Sequence, residues 1–534
     1  MLRMTTNGAS SPPSTPPPAT PDSGTTRVAG AASRVRSLRS FEGKYRVLHL
    51  TWFAFFLSFV VWFNFAPFAN TIADDLGLTA GQKKTIGLCN VALTVPARIF
   101  VGMALDRWGP RRVFTAILSF AVVPNTIFAF ATTFEAMVFS RLALSVVGAG
   151  FVVGIRMVSE WFPPAEVGTA EGVYGGWGNF GSAAAAFSLP VLAGVLGGAD
   201  GWRWAIAATG VVALVYAQVY FRSVTDTPAG ITYAKPRRQG ALEVTSRRSV
   251  FGLAVLTVPF NAILGVIAWR IWRDDVISDG VFVGALVAIG ALLAFQELTV
   301  FKVNKPALAD GYPPEDRYPT RNVAVLCFAY FATFGSELAV VTILPGFFAD
   351  TWGLGPAAAG AAASGFAFMN LAARPAGGLL SDLLGSRSRT LSILLVGLVG
   401  GYALMATLGP AWPWVVAIAV CMCCSFFVQS GEGAVYAIVP LVKKRVSGQV
   451  AGMAGAMGNV GAITFLTINL FVSTRVFFLC IAGTAVVALA ASRFLIEPEH
   501  SFAEELLTDG PADGVDVTDR TPVADAAVTR ALVG

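Results

Sequence analysis

The chain alternates between long apolar runs and short polar breaks. Each run is long enough for a helix to cross a hydrocarbon core of about 30 Å. Six runs lie in the first half of the chain, at about 47–70, 85–105, 112–132, 135–161, 167–196 and 202–221. Six more lie in the second half, at about 322–349, 356–381, 390–409, 411–440, 448–472 and 474–495. The pattern predicts an all-α membrane protein with two groups of six spans.

Two further apolar runs lie between these groups, at about 250–269 and 280–301. The second is interrupted by Gln296 and Glu297 and is the weaker of the two. If both runs cross the membrane, the chain has fourteen spans and the sidedness of the others is unchanged. The alternative is a membrane-associated hairpin on the cytoplasmic side.

These runs divide the chain into five predicted segments. Residues 1–45 are rich in Pro, Ser and Thr, which predicts a disordered tail that stays attached and cytosolic. Two six-helix bundles follow, at 46–222 and 322–496, on either side of a central linker at 223–321. The last segment, 497–534, holds nine acidic residues against two arginines and is predicted to be a solvated tail.

Composition narrows the class of protein. The chain has 534 residues, of which 55% are hydrophobic and 13% are charged, whereas soluble domains are about 25% charged. Two histidines and six cysteines, all six within apolar runs, leave little for a metal cluster or a histidine-based active site. There is also no P-loop motif for a nucleotide. We therefore expect no enzyme, no metal and no cofactor.

The positive charge predicts topology. The net charge is +6, and basic membrane proteins carry their excess Lys and Arg in short cytoplasmic loops, so nucleic acid is not expected as a partner. Such residues follow spans two, eight and ten: Arg107, Arg111, Arg112, Arg387, Arg389, Lys443, Lys444 and Arg445. We expect a multi-pass protein of the cytoplasmic (inner) membrane with both termini in the cytoplasm.

Two motifs occur once in each half, which indicates an internal repeat. The motif RxxxGxxxD ends spans two and eight at an offset of 276 and comprises Arg98, Gly102 and Asp106 in the first half and Arg374, Gly378 and Asp382 in the second. Spans five and eleven read GVYGGWGNFG and GMAGAMGNVG at an offset of 280, which aligns Gly178 and Asn179 with Gly458 and Asn459.

The repeat places two arginines deep in the membrane. Asp106 and Asp382 begin cytoplasmic loops, so Arg98 and Arg374, eight residues earlier, lie about 12 Å deeper. An arginine at that depth costs roughly 2.5–3.5 kcal/mol on insertion scales. One interpretation is that each arginine pairs with a carboxylate or with carbonyl groups and joins helices. The other is that the two face each other across a cavity and hold a planar oxyanion.

The second motif supplies polar groups at a similar depth. Gly178 and Gly458 are candidate substrate-binding residues, although for the glycines alone close helix packing is the favoured interpretation. Packing does not explain why Asn follows Gly in both halves, because a buried amide costs free energy unless it finds partners. Asn179 and Asn459 are therefore candidate hydrogen-bond donors to a substrate.

The residues of these two motifs resemble those of a known family. The string GMALDRWGPRR resembles the loop motif of the major facilitator superfamily, and GWGNFG and AMGNVG resemble the signatures of its nitrate/nitrite porter family. The resemblance covers about 45–495, apart from the two central runs. It implies a major facilitator fold of two six-helix bundles with pseudo-two-fold symmetry, in which Arg98 and Arg374 bind nitrate or nitrite. It also implies that Tyr330, Phe334 and Phe151 line the site.

Three further charges lie within the spans. Arg156 plus the 276 offset is Glu432, so we hypothesise that these two form an ion pair that acts as structure or as a gate. Glu337 lies seven residues beyond Tyr330 on the same helical face, where a protonatable carboxylate favours proton-linked transport. Without such a group, two arginines favour anion exchange. Asp106 and Asp382 are further candidates for coupling or gating.

The sequence thus predicts a secondary transporter that moves nitrate, nitrite or both by alternating access, as proton symport or as exchange. The expected partners are the anion, protons and membrane lipid, and the expected oligomeric state is a monomer. Two alternatives remain. One is a major facilitator carrier for another small anion such as a carboxylate, and the other is a membrane receptor that binds nitrate without moving it.

Overall fold

The computed structural model describes residues 36–198, 200–236, 238, 240–273, 277–310 and 317–506. Most of the predicted N-terminal tail and the acidic tail from residue 507 lie outside the described residues. Residues 36–40 belong to a first unit, in which the Arg39 N–H donates to the Arg36 carbonyl at 3.1 Å. The second unit begins at Phe41 and contains every helix described below.

Apolar composition makes the first half of the chain helical over almost its whole length. Its helices are α1 (Gly43–Phe63), α2 (Ala69–Leu76), α3 (Ala80–Ala92), α4 (Thr94–Trp108), α5 (Pro110–Ala129), α6 (Phe134–Leu144), α7 (Gly150–Trp161), α8 (Pro164–Leu196) and α9 (Gly201–Ser223). Span two is therefore α3 followed by α4, and span four is α6 followed by α7.

The central runs and the second half continue in the same way. The central helices are α10 (Arg247–Arg273) and α11 (Asp279–Asp310). The remaining helices are α12 (Thr320–Trp352), α13 (Pro356–Phe368), α14 (Asn370–Leu383), α15 (Arg387–Met405), α16 (Trp414–Ile438), α17 (Ser447–Asn469) and α18 (Thr474–Ser492). All regular elements in the described ranges are helical, which confirms the predicted all-α class.

Thirteen helical stretches of the described chain are long and apolar enough to cross a membrane. Both central helices are among them, and α10 packs against α17 and α3 while α11 packs against α10. Predicted span eight, at 356–381, is not among the thirteen; it is formed by α13 and α14 in series.

The repeat extends to a shared interruption that the sequence analysis did not detect. The helix breaks at Leu93 between α3 and α4, and at Met369 between α13 and α14. Each break precedes an arginine, Arg98 or Arg374, by five residues. The backbone at both breaks stays in the right-handed helical region, so each span bends without ending.

The two halves meet on one side of the helices, which we call the tail side because residues 497–506 lie there. The Asp106 carboxylate accepts hydrogen bonds from the Gly448 and Gln449 N–H groups, at 3.2 and 3.1 Å. In the related contact, the Asp382 carboxylate accepts from the Gly168 and Thr169 N–H groups, at 3.1 and 2.7 Å. Each aspartate therefore joins the end of a helix in one half to the N-terminal part of a helix in the other half.

Glycines allow these helices to approach closely. A Cβ atom on Gly102 would lie 2.5 Å from the Gly448 carbonyl oxygen, and one on Gly378 would lie 1.9 Å from the Gly168 carbonyl oxygen. α4 packs along α17 and α14 packs along α8 with their backbones in contact. Only glycine fits at this separation, because any Cβ atom would overlap the facing backbone.

Non-membrane segments also cover the tail side. In the linker, the Tyr233 hydroxyl donates to the Leu105 carbonyl at 2.7 Å. Near the C-terminus, the Ala503 carbonyl accepts from the Ala165 N–H at 3.0 Å, and the Ser501 carbonyl accepts from Arg387 Nη2 at 3.1 Å. These segments add contacts on the side where the halves already meet.

Candidate functional site

The structure brings Arg98 and Arg374 together. Both side chains are buried, at 0% and 2% exposure. The guanidinium carbon of Arg98 lies 5.5 Å from the ring centre of Phe151 and 5.2 Å from that of Phe334. For Arg374 the same two distances are 5.7 and 5.9 Å. The same two rings therefore flank both cations, within the range of a cation–π interaction.

Each arginine reaches from its own half into the other. Arg98 Nη1 donates to the Gly455 carbonyl at 2.5 Å, and Arg374 Nη1 donates to the Gly175 carbonyl at 3.3 Å. Gly175 and Gly455 are related by the 280 offset, so the two contacts are equivalent. Arg98 Nε also donates to the Gly148 carbonyl at 3.4 Å.

Aromatic side chains form the wall of this cluster. Tyr330 stacks on Phe334 and on Phe151, with ring centres 5.0 and 6.2 Å apart, and accepts a hydrogen bond from Arg374 Nη2 at 3.5 Å. Tyr436, which was not predicted from the sequence, also belongs to this wall and lies edge-on to Phe151 and Tyr330, with ring centres 4.7 and 4.8 Å away. Tyr436 lies one helical turn beyond Glu432, a charged residue within an apolar span. That spacing places both side chains on the same helical face and could have identified Tyr436 from the sequence.

Two buried amides lie beside the arginine contacts. Asn459 follows Gly455 by one helical turn, and neither of its side-chain polar atoms has a hydrogen-bond partner among the described residues. Asn179 follows Gly175 in the same way, and its Oδ1 also has no partner within the described ranges. A buried polar group without a partner costs about 1–3 kcal/mol. Asn459 therefore offers a ligand both a donor and an acceptor, whereas the unpartnered atom of Asn179 is an acceptor.

The two candidate glycines make room for aromatic rings. A Cβ on Gly178 would lie 1.8 Å from Phe55 Cδ1, and one on Gly458 would lie 2.7 Å from Tyr330 Cδ1 and 2.8 Å from Phe334 Cδ1. Their contribution to the site is thus indirect, because they allow the rings to approach α8 and α17.

The two arginines differ in their charged neighbours. Arg374 Nη2 contacts the Glu432 carboxylate and lies 3.9 Å from Glu337 Oε2. Glu337 is held in place at its other oxygen, Oε1, which accepts from Asn370 and from Gln429. Arg98 forms no ion pair with any described residue, and its Nη2 has no hydrogen-bond partner among them. The interpretation that each buried arginine pairs with a carboxylate therefore holds for Arg374 but not for Arg98.

The hypothesis that Arg156 pairs with Glu432 is wrong. Arg156 lies 2.9 Å from Glu160, one turn along the same helix, and donates to the Tyr233 hydroxyl at 3.1 Å. Glu432 instead lies at the level of Arg374. The offset between the two halves is 276 residues at spans two and eight but 280 residues at spans five and eleven. This difference of four residues corresponds to about 6 Å along a helix. The 276 offset therefore does not place residues of spans four and ten at matching depth.

Two other buried charges were overlooked inside apolar runs. Glu171 in α8 is 2% exposed, and neither of its carboxylate oxygens has a partner in the described part of the chain. Arg141 in α6 is fully buried and donates to Asn64 Oδ1 and to the Trp62 carbonyl, both at 3.0 Å. Both residues could have been identified from the sequence, because each is a charged residue within an apolar span.

The described residues contain no group of three or more His, Cys, Asp or Glu side chains that could hold a metal ion. The six cysteines are free thiols. The charged groups of the site are therefore arginines and carboxylates, an arrangement suited to binding an anion and exchanging a proton.

The fold and this cluster define the class. Residues 51–306 and 326–523 match the Major Facilitator Superfamily, and the chain belongs to that superfamily of membrane transporters. Solved structures with the same fold include the human organic anion transporter MFSD10, at a TM-score of 0.56 and 13% identity, covering 84% of this chain and 100% of that one. The Escherichia coli fucose:proton symporter FucP also has a TM-score of 0.56, at 11% identity, covering 85% of this chain and 100% of that one.

The sequence relatives are more specific. The nitrate/nitrite transporter NrtP of a Picosynechococcus strain is 47% identical over 508 residues, covering 87% of this chain and 95% of the relative. NrtP of Nostoc punctiforme is 46% identical over 479 residues, covering 88% and 96%. Nitrate transporter 2.1 of Chlamydomonas reinhardtii is 27% identical over 423 residues, covering 78% and 66%. The predicted family is confirmed, and the chain is a transporter and not an enzyme.

Proposed function

We propose that this protein carries nitrate, nitrite or both across the cytoplasmic membrane by alternating access, with Arg98 and Arg374 holding the anion. The observation that carries the proposal is that two buried arginines, one from each half, lie over the same pair of aromatic rings. The names of the relatives at 46–47% identity support the substrate.

The chemistry of the site suits a flat, weakly hydrated anion. A planar guanidinium offers two parallel N–H donors to two coplanar oxygens, which a lysine does not. Phe151 and Phe334 supply apolar walls to a planar ligand, and a strongly hydrated anion loses more on entering them. The Asn459 Nδ2 group is available to donate to the remaining oxygen, because it has no hydrogen-bond partner among the described residues. Asn179 is proposed as a second donor by its equivalent position in the repeat.

Alternating access assigns roles to the predicted segments. Residues 46–222 and 322–496 act as the two bundles that rock around the site, and 223–321 connects them. With both tails in the cytoplasm, the contacts of Asp106 and Asp382 close the cytoplasmic side. Opening to the cytoplasm then requires those contacts to break, so the two aspartates act as gating residues. The ion pair between Arg156 and Glu160 also belongs to this closed state.

Transport distinguishes this proposal from its alternatives. We would reconstitute the purified full-length chain in liposomes and measure counterflow of labelled nitrate. We expect the wild type to accumulate label, and Arg98→Gln and Arg374→Gln to abolish accumulation. Arg493→Gln, which changes an exposed arginine at the tail-side end of α18, serves as the control.

Three outcomes would favour other functions. Full uptake by either arginine variant would remove the proposed anion site. Displacement of nitrate by acetate or formate at equal concentration would indicate a carboxylate carrier. Binding in proportion to protein without accumulation would indicate a receptor.

Coupling is the finer part of the proposal. Glu337 and Glu432 both lie beside Arg374, which supports proton–nitrate symport over exchange. Nitrate-driven proton entry into liposomes, measured with a trapped pH dye, tests this, and its absence in the wild type would leave nitrate/nitrite exchange. Glu337→Gln in the same assay tests whether that carboxylate takes part.

A further inference from the structure

Glu432 occupies the side of Arg374 that an anion needs. Its carboxylate contacts Arg374 Nη2, and Arg374 Nη1 is already bonded to the Gly175 carbonyl. Neither terminal nitrogen of Arg374 is therefore without a partner, whereas Arg98 Nη2 has none among the described residues. In this state Arg98 has a terminal nitrogen with no partner, whereas each terminal nitrogen of Arg374 already has one.

A carboxylate resembles the proposed substrate. Like nitrate or nitrite, it offers two coplanar oxygens to a guanidinium fork. Apart from Arg374, the Glu432 oxygens have no hydrogen-bond partner in the described chain, although the residue is 1% exposed. Glu337 differs, because Asn370 and Gln429 hold its Oε1. Arg374 is thus the principal stabiliser of a charged Glu432.

We infer that Glu432 is an internal competitor for the anion: its carboxylate holds Arg374 while the site is empty, and protonation of Glu432 frees Arg374 for the substrate. The inference rests on the proposed function, since it assigns the coupling proton of that same site to one carboxylate. The proton adds to a Glu432 oxygen, the ion pair is lost, and the anion takes the position at Arg374.

The charge balance of the site supports one proton per anion. When all four groups are ionised, the two positive charges of Arg98 and Arg374 balance the two negative charges of Glu337 and Glu432. Adding an anion alone leaves one uncompensated negative charge in a buried site of low dielectric, which is strongly unfavourable. Adding an anion together with a proton on Glu432 keeps the site neutral.

Other titratable groups near Glu432 do not replace it. The elements packed against α16 present these buried groups: Arg374 and Asp382 from α14, Glu337 and Tyr330 from α12, Tyr402 and Arg387 from α15, and Glu171 and Tyr174 from α8. Tyrosines stay neutral near pH 7. Asp382 pairs with Arg387 at 2.9 Å on the tail side, and Glu171 forms no ion pair with a described residue.

The test is the pH dependence of nitrate binding. The dissociation constant of nitrate would be measured by calorimetry on the purified full-length chain between pH 5.5 and pH 8.5. For the wild type we expect it to rise by up to tenfold per pH unit above the titration of Glu432, because binding takes up one proton. For Glu432→Gln we expect a pH-independent constant that is smaller than the wild-type value at pH 8.5.

The controls use the other buried carboxylates. Glu171→Gln removes a buried carboxylate of α8 and should keep the wild-type slope. Glu337→Gln removes one negative charge beside Arg374, so it should make the slope shallower while Glu432 still competes for that arginine. Glu432→Asp retains a carboxylate on a shorter side chain, so it should keep the slope and bind nitrate more tightly than the wild type at pH 8.5.

Each failure has a separate meaning. A slope that persists in Glu432→Gln, or that disappears in Glu171→Gln, would overturn the inference, as would a wild type without a slope. If Glu432→Gln does not yield folded protein, a Glu432→Asp variant identical to the wild type at every pH would also overturn it. A wild type that binds no nitrate at any pH would instead overturn the proposed function.

Discussion

Replacing Gly458 by alanine tests whether the aromatic wall positions the anion. A Cβ at this residue would lie 2.7 Å from Tyr330 Cδ1 and 2.8 Å from Phe334 Cδ1. Ordinary contacts between carbon atoms are about 3.5–4.0 Å, so both rings must move by nearly 1 Å. Tyr330 is fully buried and is also packed against Phe151 and Tyr436, so it has no free space on its other sides.

The magnitude follows from that lack of space. Inserting a methyl group into a well-packed interior costs typically about 1–3 kcal/mol. The displaced rings are part of the wall around both guanidinium groups, and Phe334 directly flanks them, so much of this strain falls on the anion-binding geometry. A loss of 1–3 kcal/mol in binding free energy corresponds to roughly a 5- to 150-fold rise in the dissociation constant for nitrate.

The assay compares two glycine-to-alanine changes in the same half of the protein. Gly458→Ala and Gly483→Ala receive the same methyl group, but nothing lies within 4 Å of a Cβ on Gly483. Nitrate dissociation constants and thermal unfolding in detergent would be measured for both variants. Gly483→Ala should match the wild type in nitrate binding and should be at least as stable, because alanine is favoured over glycine inside a helix. If Gly458→Ala is folded and binds nitrate as Gly483→Ala does, the wall does not position the anion and the reasoning is refuted.

Three further predictions concern separate parts of the molecule. Arg98→Lys should raise the nitrate dissociation constant by at least tenfold in calorimetry, because an ammonium group cannot replace the planar fork, and an unchanged constant would argue against two-point binding. Gly109→Ala should lower the free energy of unfolding by about 1–3 kcal/mol, because Gly109 has a φ of 82° and an added Cβ would lie 2.6 Å from Asp226 Oδ2. A denaturation midpoint equal to that of the wild type would contradict this prediction. Asp382→Asn should speed hydrogen exchange at the start of α8 roughly tenfold or more, because the Thr169 N–H donates to this carboxylate, and unchanged exchange would show that the tail-side contact does not depend on the charge.

Much of the site was predictable because the repeat fixes depth. Two copies of RxxxGxxxD place Arg98 and Arg374 at the same distance from the ends of their helices, and two arginines inside apolar spans require a partner or a ligand. The same reasoning selected Asn179 and Asn459. Inspecting every charge within a span would also have found Glu171 and Arg141.

The sequence by itself determined the class of the protein, the order of its apolar runs and the equivalent positions of Arg98 and Arg374 on their helices. These follow from local properties, namely the length of each apolar run and the spacing of residues along a helix. Only the tertiary structure decided that Arg374 pairs with Glu432 while Arg156 pairs with Glu160, and that Tyr436 completes the aromatic wall. The physical reason is that periodicity gives the depth and face of a side chain on its own helix, whereas its partner depends on how helices far apart in sequence are rotated and packed together.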